Sequence, residues 1–431
     1  MKPLKSRKAE LAPNATGGGK SHAEAAESAE FKMTELGLIP VDWEVKRFDD
    51  AYSFAAASDL QKEWYSPIQD ARHKYCIYSN GLANNGLYGY TSRPRYNGNS
   101  ITITGRGTLG HAEFRHDDFD AIIRLLILTP IVEVDNQFVV YWINNYKPFV
   151  NESTSIPQLT VPQVACKLFP LPPLAEQRRI AGALSDVDEL ISALGELIEK
   201  KRNIKTGAMQ QLLTGKTRLP GFGEKYTEFK QTELGLIPID WEVKRLGEVV
   251  EINPPCFKCK PTRFVYVDLE SVKDGKLLSR NYIDSCDAPS RAQRQFAKND
   301  ILYQTVRPYQ CNNMFVDFDA EGYVASTGYA IIRANKSDAR YVYVCLCSAG
   351  IVSQVLDNCT GTSYPAINPE KLADIKVIVP PTLAEQKAIA AVLSDMDAEI
   401  AALEADRAKY ERIKSGMMQE LLTGKTRLKG E

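Results

Sequence analysis

Histidine is scarce in this chain of 431 residues, with four in all, and cysteine is thin, with nine. An odd cysteine count in a chain this long excludes a disulfide scaffold. No apolar leader opens the sequence, so reduced thiols and a cytoplasmic location are expected. Cys256 and Cys259 form a lone CxxC. A structural zinc site takes four ligands and no second CxxC follows, so no metal and no cofactor are expected. No stretch approaches the roughly 20 apolar residues of a membrane span. Charge of one sign is also lacking: the net charge is −1, and bulk electrostatics do not announce a nucleic-acid binder.

Catalytic patterns are missing as well. Gly-Lys-Thr occurs at Gly215 and Gly424, but a phosphate loop needs a glycine five residues earlier, where Gln210 and Gln419 stand. Both units end helical patterns, whereas a phosphate cradle opens a helix. Asn253-Pro-Pro-Cys256 comes close to the Asn/Asp-Pro-Pro-aromatic motif with which adenine methyltransferases hold a flipped base. The aromatic, Phe257, falls one place late, and no glycine-rich loop for a methyl donor is present. A turn after a strand at Val249–Ile252 is the preferred reading. No Ser/His/Asp set and no nuclease-like carboxylate cluster stands out, so the chain reads as a non-enzymatic binder.

What is present is duplication. TELGLIPVDWEVKRF, beginning at Thr34, returns as TELGLIPIDWEVKRL at Thr232, 198 residues later. LAEQRRIAGALSDVD…LLTGKTRL, beginning at Leu174, returns at Leu383, 209 residues later. The extra length lies inside the second of two intervening segments that share almost nothing. The period is far beyond the roughly 20–50 residues of a solenoid. One frame is used twice, with two different fillings.

The repeated connectors read as long helices. Ile180, Leu184, Val187, Ile191, Leu194 and Ile198 follow in 4-3 steps, as do Ile389, Leu393, Met396, Ile400 and Leu403. After a shift at Arg407 the second stripe continues through Tyr410, Ile413, Met417 and Leu421. A narrow apolar seam at this spacing calls for a helix partner, and the other copy is the obvious one. Some 40 residues at about 1.5 Å each span roughly 60 Å. Thr382 and Glu385 fit a capping box, and Gly215 and Gly424 are placed as left-handed C-terminal caps.

The segments between read as mixed α and β. Strands are expected at Ser100–Thr104, Arg263–Asp268, Asp300–Tyr303, Tyr329–Ile332 and Asp374–Val379, with Val161–Phe169 in the last strand's place in the first copy. Phe138–Ile143 fits a strand or a helix. From Arg72 to Arg115 six basic residues (Arg72, Lys74, Arg93, Arg95, Arg106, Arg115) face one acid, Glu113, with five tyrosines interleaved. Such a stretch suits a DNA-facing surface or an ordinary solvated loop.

The Pro-Pro-…-Glu-Gln openings at Pro172–Gln177 and Pro380–Gln386, the LLTGKTRL endings and the ELGLIP-x-x-W-x-V-x-R lead-ins resemble the specificity subunit of type I restriction–modification systems. The resemblance covers Phe31 to Leu428. It implies an α+β chain of two globular mixed α/β target recognition domains, separated by two long antiparallel helices forming a coiled coil. The expected division is a flexible tail at 1–30, a first recognition domain at 31–170, a first spacer helix and cap at 171–219, a second recognition domain at 220–380, and a second spacer helix and tail at 381–431. The implied function is sequence-specific binding of a bipartite, asymmetric site in double-stranded DNA. The implied partners are two methyltransferase subunits and restriction/translocase subunits, which hold the catalysis.

Two local patterns resemble different recognition-domain subtypes. Pro289–Ala292, Asp300–Leu302, Val306–Tyr309, Ala325–Gly328 and Gly361–Pro365 follow one, and Ile103–Gly110 another, with one residue fewer between Arg106 and Gly107. Arg307 is the first candidate for base contact, since arginine can engage both acceptors of a guanine. Gln304, Tyr309, Gln310, Asn312 and Asn313 surround it, with Ser326 and Thr327 nearby in the pattern. Arg291 and Arg294 are candidates for phosphate contact. In the first domain Arg93, Arg95, Tyr90, Tyr96, Asn97, Arg106 and Thr108 take the equivalent parts. Two further functions compete: a self-sufficient adenine methyltransferase using Asn253, and a scaffold whose variable domains bind proteins.

Overall fold

The structure is a computed structural model that describes residues 30–149, 158–223, 228–255, 261–361 and 364–429. Most of the expected N-terminal tail and the Cys256/Cys259 pair lie outside these residues. The chain divides into two compact units, one formed by the residues up to Glu189 with those from Glu411 onward, the other by Leu190–Tyr410.

The duplicated lead-in folds identically in both units. A hairpin pairs Phe31–Thr34 with Gly37–Pro40, and its counterpart pairs Phe229–Thr232 with Gly235–Pro238 in the same register. The next strand, Glu44–Arg47 or Glu242–Arg245, pairs antiparallel with the strand that precedes a long helix, Leu168–Leu171 or Lys376–Val379. Trp43 and Trp241 are wholly buried beside these strands.

Each filling holds two four-stranded sheets. In the first unit one sheet runs in the order Tyr52–Ala56, Leu126–Pro130, Ser100–Ile103, Ala112–Arg115; the other is Asp120–Ala121, Tyr75–Tyr78, Leu87–Thr91, Tyr65–Ser66. In the second unit the orders are Val250–Ile252, Tyr329–Ala334, Ile301–Gln304, Met314–Phe315 and Asn281–Asp284, Arg263–Val267, Tyr323–Ser326, Ala292–Gln295. The strands expected from sequence are therefore present. Phe138–Ile143 resolves as helix, inside Asn136–Tyr146, because the Asp135 side chain accepts from the Phe138 N–H at 2.9 Å and caps it. Val161–Phe169 is not one strand. Thr160 and Gln163 start a short helix at Val161–Ala165, and the strand begins only at Leu168.

The long helices run Leu174–Leu212 and Leu383–Leu421. They pair antiparallel and form the expected coiled coil. In the second unit Lys201 meets Glu399 at 2.6 Å, Arg202 meets Glu404 at 2.6 Å and Lys205 meets Asp397 at 2.5 Å; in the first, Lys414 meets Asp188 at 2.6 Å. These exposed pairs are worth roughly 0.2–1 kcal/mol each. Burying one seam leucine or isoleucine gives about 1.5–3 kcal/mol, so apolar contact holds the helices and the ion pairs fix their register. Ile180, Leu184, Ile198, Ile389, Leu393, Ile400 and Leu421 are buried as the stripe requires, while Ile413 turns outward at 40% exposure.

Both caps close as expected. Gly215 and Gly424 each have φ of +70°. Gly215 packs on Pro238 and Trp241, and Gly424 on Pro40 and Trp43. The capping box at Thr382 is only half formed. Its hydroxyl accepts from the Glu385 N–H at 3.2 Å, but the Glu385 carboxylate is taken by Arg218 at 2.8 and 2.7 Å. The opening glutamines act alike: Gln177 donates to Pro172 O and accepts from Asp135 N, and Gln386 donates to Pro380 O and accepts from Asp338 N.

Candidate nucleic-acid interface

In the second unit the strand Ile301–Gln304 runs out into a tight loop that carries Arg307. Gln304 is fully buried and braces this loop. Its Nε2 donates to Val306 O and Gln310 Oε1, both at 2.8 Å, and its Oε1 accepts from Asn312 N at 3.1 Å. Its backbone N–H donates to Asn313 Oδ1 at 2.8 Å. Arg307 and Cys311 both adopt left-handed backbone, with φ of 54° and 53°. Each costs roughly 1–2 kcal/mol for an L-residue, which the glutamine brace offsets.

That backbone delivers the side chains. Arg307 N donates to Pro365 O at 2.7 Å, and its guanidinium lies 4.5 Å from the ring centre of Tyr364. Stacking on an aromatic face leaves the edge donors of a guanidinium free for a planar partner. Tyr309 stands 52% exposed at the loop tip. Tyr364, itself 65% exposed, lies more than fifty residues downstream, and nothing local in the sequence marked it as Arg307's support.

The neighbouring candidates meet this loop through its base. Thr305 donates to Gly328 O through both its N–H and its hydroxyl, and Gly328 N donates to the buried Ser326 Oγ. Thr327 N donates to Arg291 O at 2.8 Å, and the Arg291 side chain is exposed. Arg294 is half-buried, with its Nε sealed from solvent and without a partner among the described residues.

In the first unit the candidates separate by environment. Arg106 and Thr108 are exposed on a turn around Gly107, which has φ of +68° and open space around it. Asn80 Oδ1 anchors that turn by accepting from Gly105 N and Arg106 N. Arg93 is exposed with its guanidinium 4.8 Å from the Trp64 ring centre. Arg95 points inward instead. It donates to Asp120 Oδ1 at 2.6 Å, to Ala121 O at 3.0 Å and to Ser58 Oγ. Tyr96 packs on Phe119 with ring centres 5.6 Å apart. Tyr90 is half-buried and Asn97 exposed.

Asn253 ends the strand Val250–Ile252 in left-handed backbone, and its Oδ1 accepts from Ile331 N at 3.0 Å. Its side chain is thus engaged by the sheet, as the turn reading anticipates. Among the described residues no group of three or more His, Cys, Asp or Glu side chains gathers to hold a metal, and no single helix is long and apolar enough to cross a membrane.

The family described as type I restriction modification DNA specificity domain matches residues 40–203 and 238–414. The type I restriction enzyme MjaVIII specificity subunit of Methanocaldococcus jannaschii is 27% identical, over 93% of this chain and 96% of its own length. The EcoDI specificity subunit of Escherichia coli is 21% identical over 82% of this chain and 81% of its length. Among solved structures, the S subunit from M. genitalium aligns with a TM-score of 0.59 at 17% identity, covering 88% of this chain and 96% of that one. A chain from a structure of type I R-M complex assembly aligns with a TM-score of 0.51 at 18% identity, covering 90% and 99%. With two matches that together span most of its length and fall on both copies of the frame, the chain belongs to the type I restriction–modification DNA specificity family.

Proposed function

We propose that this chain is the sequence reader of a type I restriction–modification complex, with residues 31–170 and 220–380 as its two recognition domains. Each domain reads one half of a bipartite, asymmetric site in double-stranded DNA. The carrying observation is the duplicated frame: two units share one register of lead-in strands, one ion-pair pattern and one antiparallel sheet of the same strand order, and around it hold a second sheet of unlike connectivity and unlike loops. A frame kept constant around fillings that differ suits a constant partner and two different targets.

Arg307, stacked on Tyr364, is the base-reading arginine of the second domain, with Tyr309 beside it. Gln304 positions the loop, while Arg291 and Arg294 belong to the phosphate side. In the first domain Arg106, Thr108 and Arg93 reach the DNA, and Arg95 and Tyr96 hold the scaffold behind them. The paired helices fix the gap between the halves and, with the repeated lead-ins, seat two methyltransferase subunits; restriction/translocase subunits join that assembly. The relatives named above are specificity subunits, which supports catalysis lying in the partners.

The test is a gel shift of the chain with its methyltransferase partner on duplexes carrying its site. Changing the gap by one base pair rotates one half against the other by roughly 35° and should weaken binding strongly. Indifference to the gap would overturn the fixed spacer.

A further inference from the structure

The first unit also holds a cleft of about 820 Å³. Its floor is Arg115, at the end of the strand Ala112–Arg115 and only 6% exposed. The guanidinium lies 3.6 Å from the ring centre of Tyr78. Nε donates to Thr102 Oγ1 at 2.9 Å and Nη2 to Asn85 O at 2.8 Å. Arg115 pairs with no carboxylate among the described residues, and burial pulls its pKa down. The nearby Glu113 carboxylate offsets that only in part and is itself engaged by His111, so the buried cation stays costly and has use for a further acceptor.

The cleft's mouth points to what that acceptor belongs to. Tyr75, Phe114 and His116 supply flat walls, with the Phe114 and His116 rings 4.1 Å apart. Asn84 and Asn85 form the lip in left-handed backbone, φ 50° and 53°, a strained pair that Arg115 holds by its bond to Asn85 O. Three carboxylates line the rim. Asp118 accepts from Gly98 N and Glu113 pairs with His111, which leaves Asp117 exposed and without a partner among the described residues. These three acids outnumber Lys74, which also lines the cleft, and so disfavour a phosphate. Aromatic walls, a buried arginine and a free carboxylate suit a flat neutral group that accepts on one edge and donates on another.

We infer that this cleft takes a single unstacked nucleobase, with guanine the best match: its O6 and N7 accept from Arg115, and its N1–H and exocyclic amine donate to Asp117. The inference rests on the DNA-reading function if the base comes from a nucleic acid, but a free nucleoside offers the same chemistry. Stacking between aromatic side chains supplies affinity without regard to the neighbouring sequence.

The experiment uses the full chain and three probes: guanosine, a fully paired duplex, and the same duplex with one bulged guanine. Binding is read by calorimetry, for the native chain and for Tyr75→Ala and Asp117→Asn, two rim variants that leave the Arg115 floor intact. Guanosine should bind saturably. The bulged duplex should bind about tenfold tighter than the paired one, and both rim variants should abolish that preference. Thermal unfolding of the variants should match the native chain. Paired and bulged duplexes binding equally, with no guanosine uptake, would overturn the cleft and leave DNA reading intact. Guanosine binding with no preference for the bulge would assign the cleft to a free nucleoside. Binding of none of the three would remove the nucleobase reading together with duplex binding by the chain alone.

Discussion

Arg427 and Glu176, 251 positions apart in the chain, form a two-pronged ion pair, Nε and Nη2 of the arginine each 2.7 Å from a carboxylate oxygen. Arg427 also grips Asp42 at 2.9 and 2.7 Å, and Trp43 Nε1 donates to the same glutamate at 3.1 Å. The second unit repeats the device with Arg218, Glu385 and Asp240. In each unit the arginine after one helix thus ties down the start of the other helix and the lead-in.

Arg427→Ala should cost about 3 kcal/mol, because it leaves the Glu176 carboxylate, 3% exposed, buried without its charge partner. Arg427→Lys should recover little, since a lysine cannot engage two carboxylates in fork geometry. Arg47→Ala breaks an ion pair with Asp49 that is half in solvent and should leave stability nearly unchanged. Urea unfolding of the three variants checks the order.

Asp42 gives the same device a pH signature. Hydrogen bonds from Arg427 hold its carboxyl below the ordinary value of 3.8. A depressed folded pKa contributes stability that is complete above the unfolded value and lost as pH falls through the folded one. Asp42→Asn should therefore lower the urea midpoint above about pH 4, with the gap to the native chain closing as the pH falls below that value. A gap unchanged down to pH 2.5 would contradict it.

The glycines separate into two classes. Gly215→Ala and Gly424→Ala force a side chain onto left-handed backbone and into Pro238 or Pro40. Each should cost more than about 1 kcal/mol. Gly182, Gly207 and Gly416 sit exposed on the long helices with open space around them, so alanine there should stabilise by roughly 0.5–1 kcal/mol each. Thermal melts of the five variants should show opposite signs.

The frame was legible because its signals are local and periodic. The 4-3 seams, the terminal glycines and strands such as Ser100–Thr104 each follow from neighbours in sequence. Phe138–Ile143 was open between helix and strand because burial on nearly every side erases periodicity, and only the Asp135 cap decides. Val161–Phe169 reads as continuous from its apolar content, but the Thr160–Gln163 capping box starts a helix there. Glu385 fits a capping role in sequence, but Arg218, far away in the chain, takes its carboxylate. At the interface Arg307 was legible as a residue type, but its perch on Tyr364 depends on tertiary placement. The inward turn of Arg95 and the buried floor of Arg115 are likewise set by packing partners that no spacing announces.

Arg95 and Arg106 should behave oppositely. Arg95→Ala strands Asp120, whose side chain is 3% exposed, and should destabilise the first unit by about 3 kcal/mol, with any loss of DNA binding following from unfolding. Arg106→Ala, on an exposed turn, should leave the melting curve within about 0.5 kcal/mol of the native chain while weakening DNA binding. Melting and binding measured on the same preparations separate the two.

The most direct measurement is the DNA motif enriched from a random duplex pool by the chain bound to its methyltransferase partner, compared with the motif enriched by Arg307→Ala. The native complex should return two different half-sites at a constant gap. The variant should lose discrimination at one position of one half, by roughly 1–3 kcal/mol, with the other half and the gap unchanged. A motif in one piece, or a variant that blurs both halves equally, would contradict two independent readers on one repeated frame.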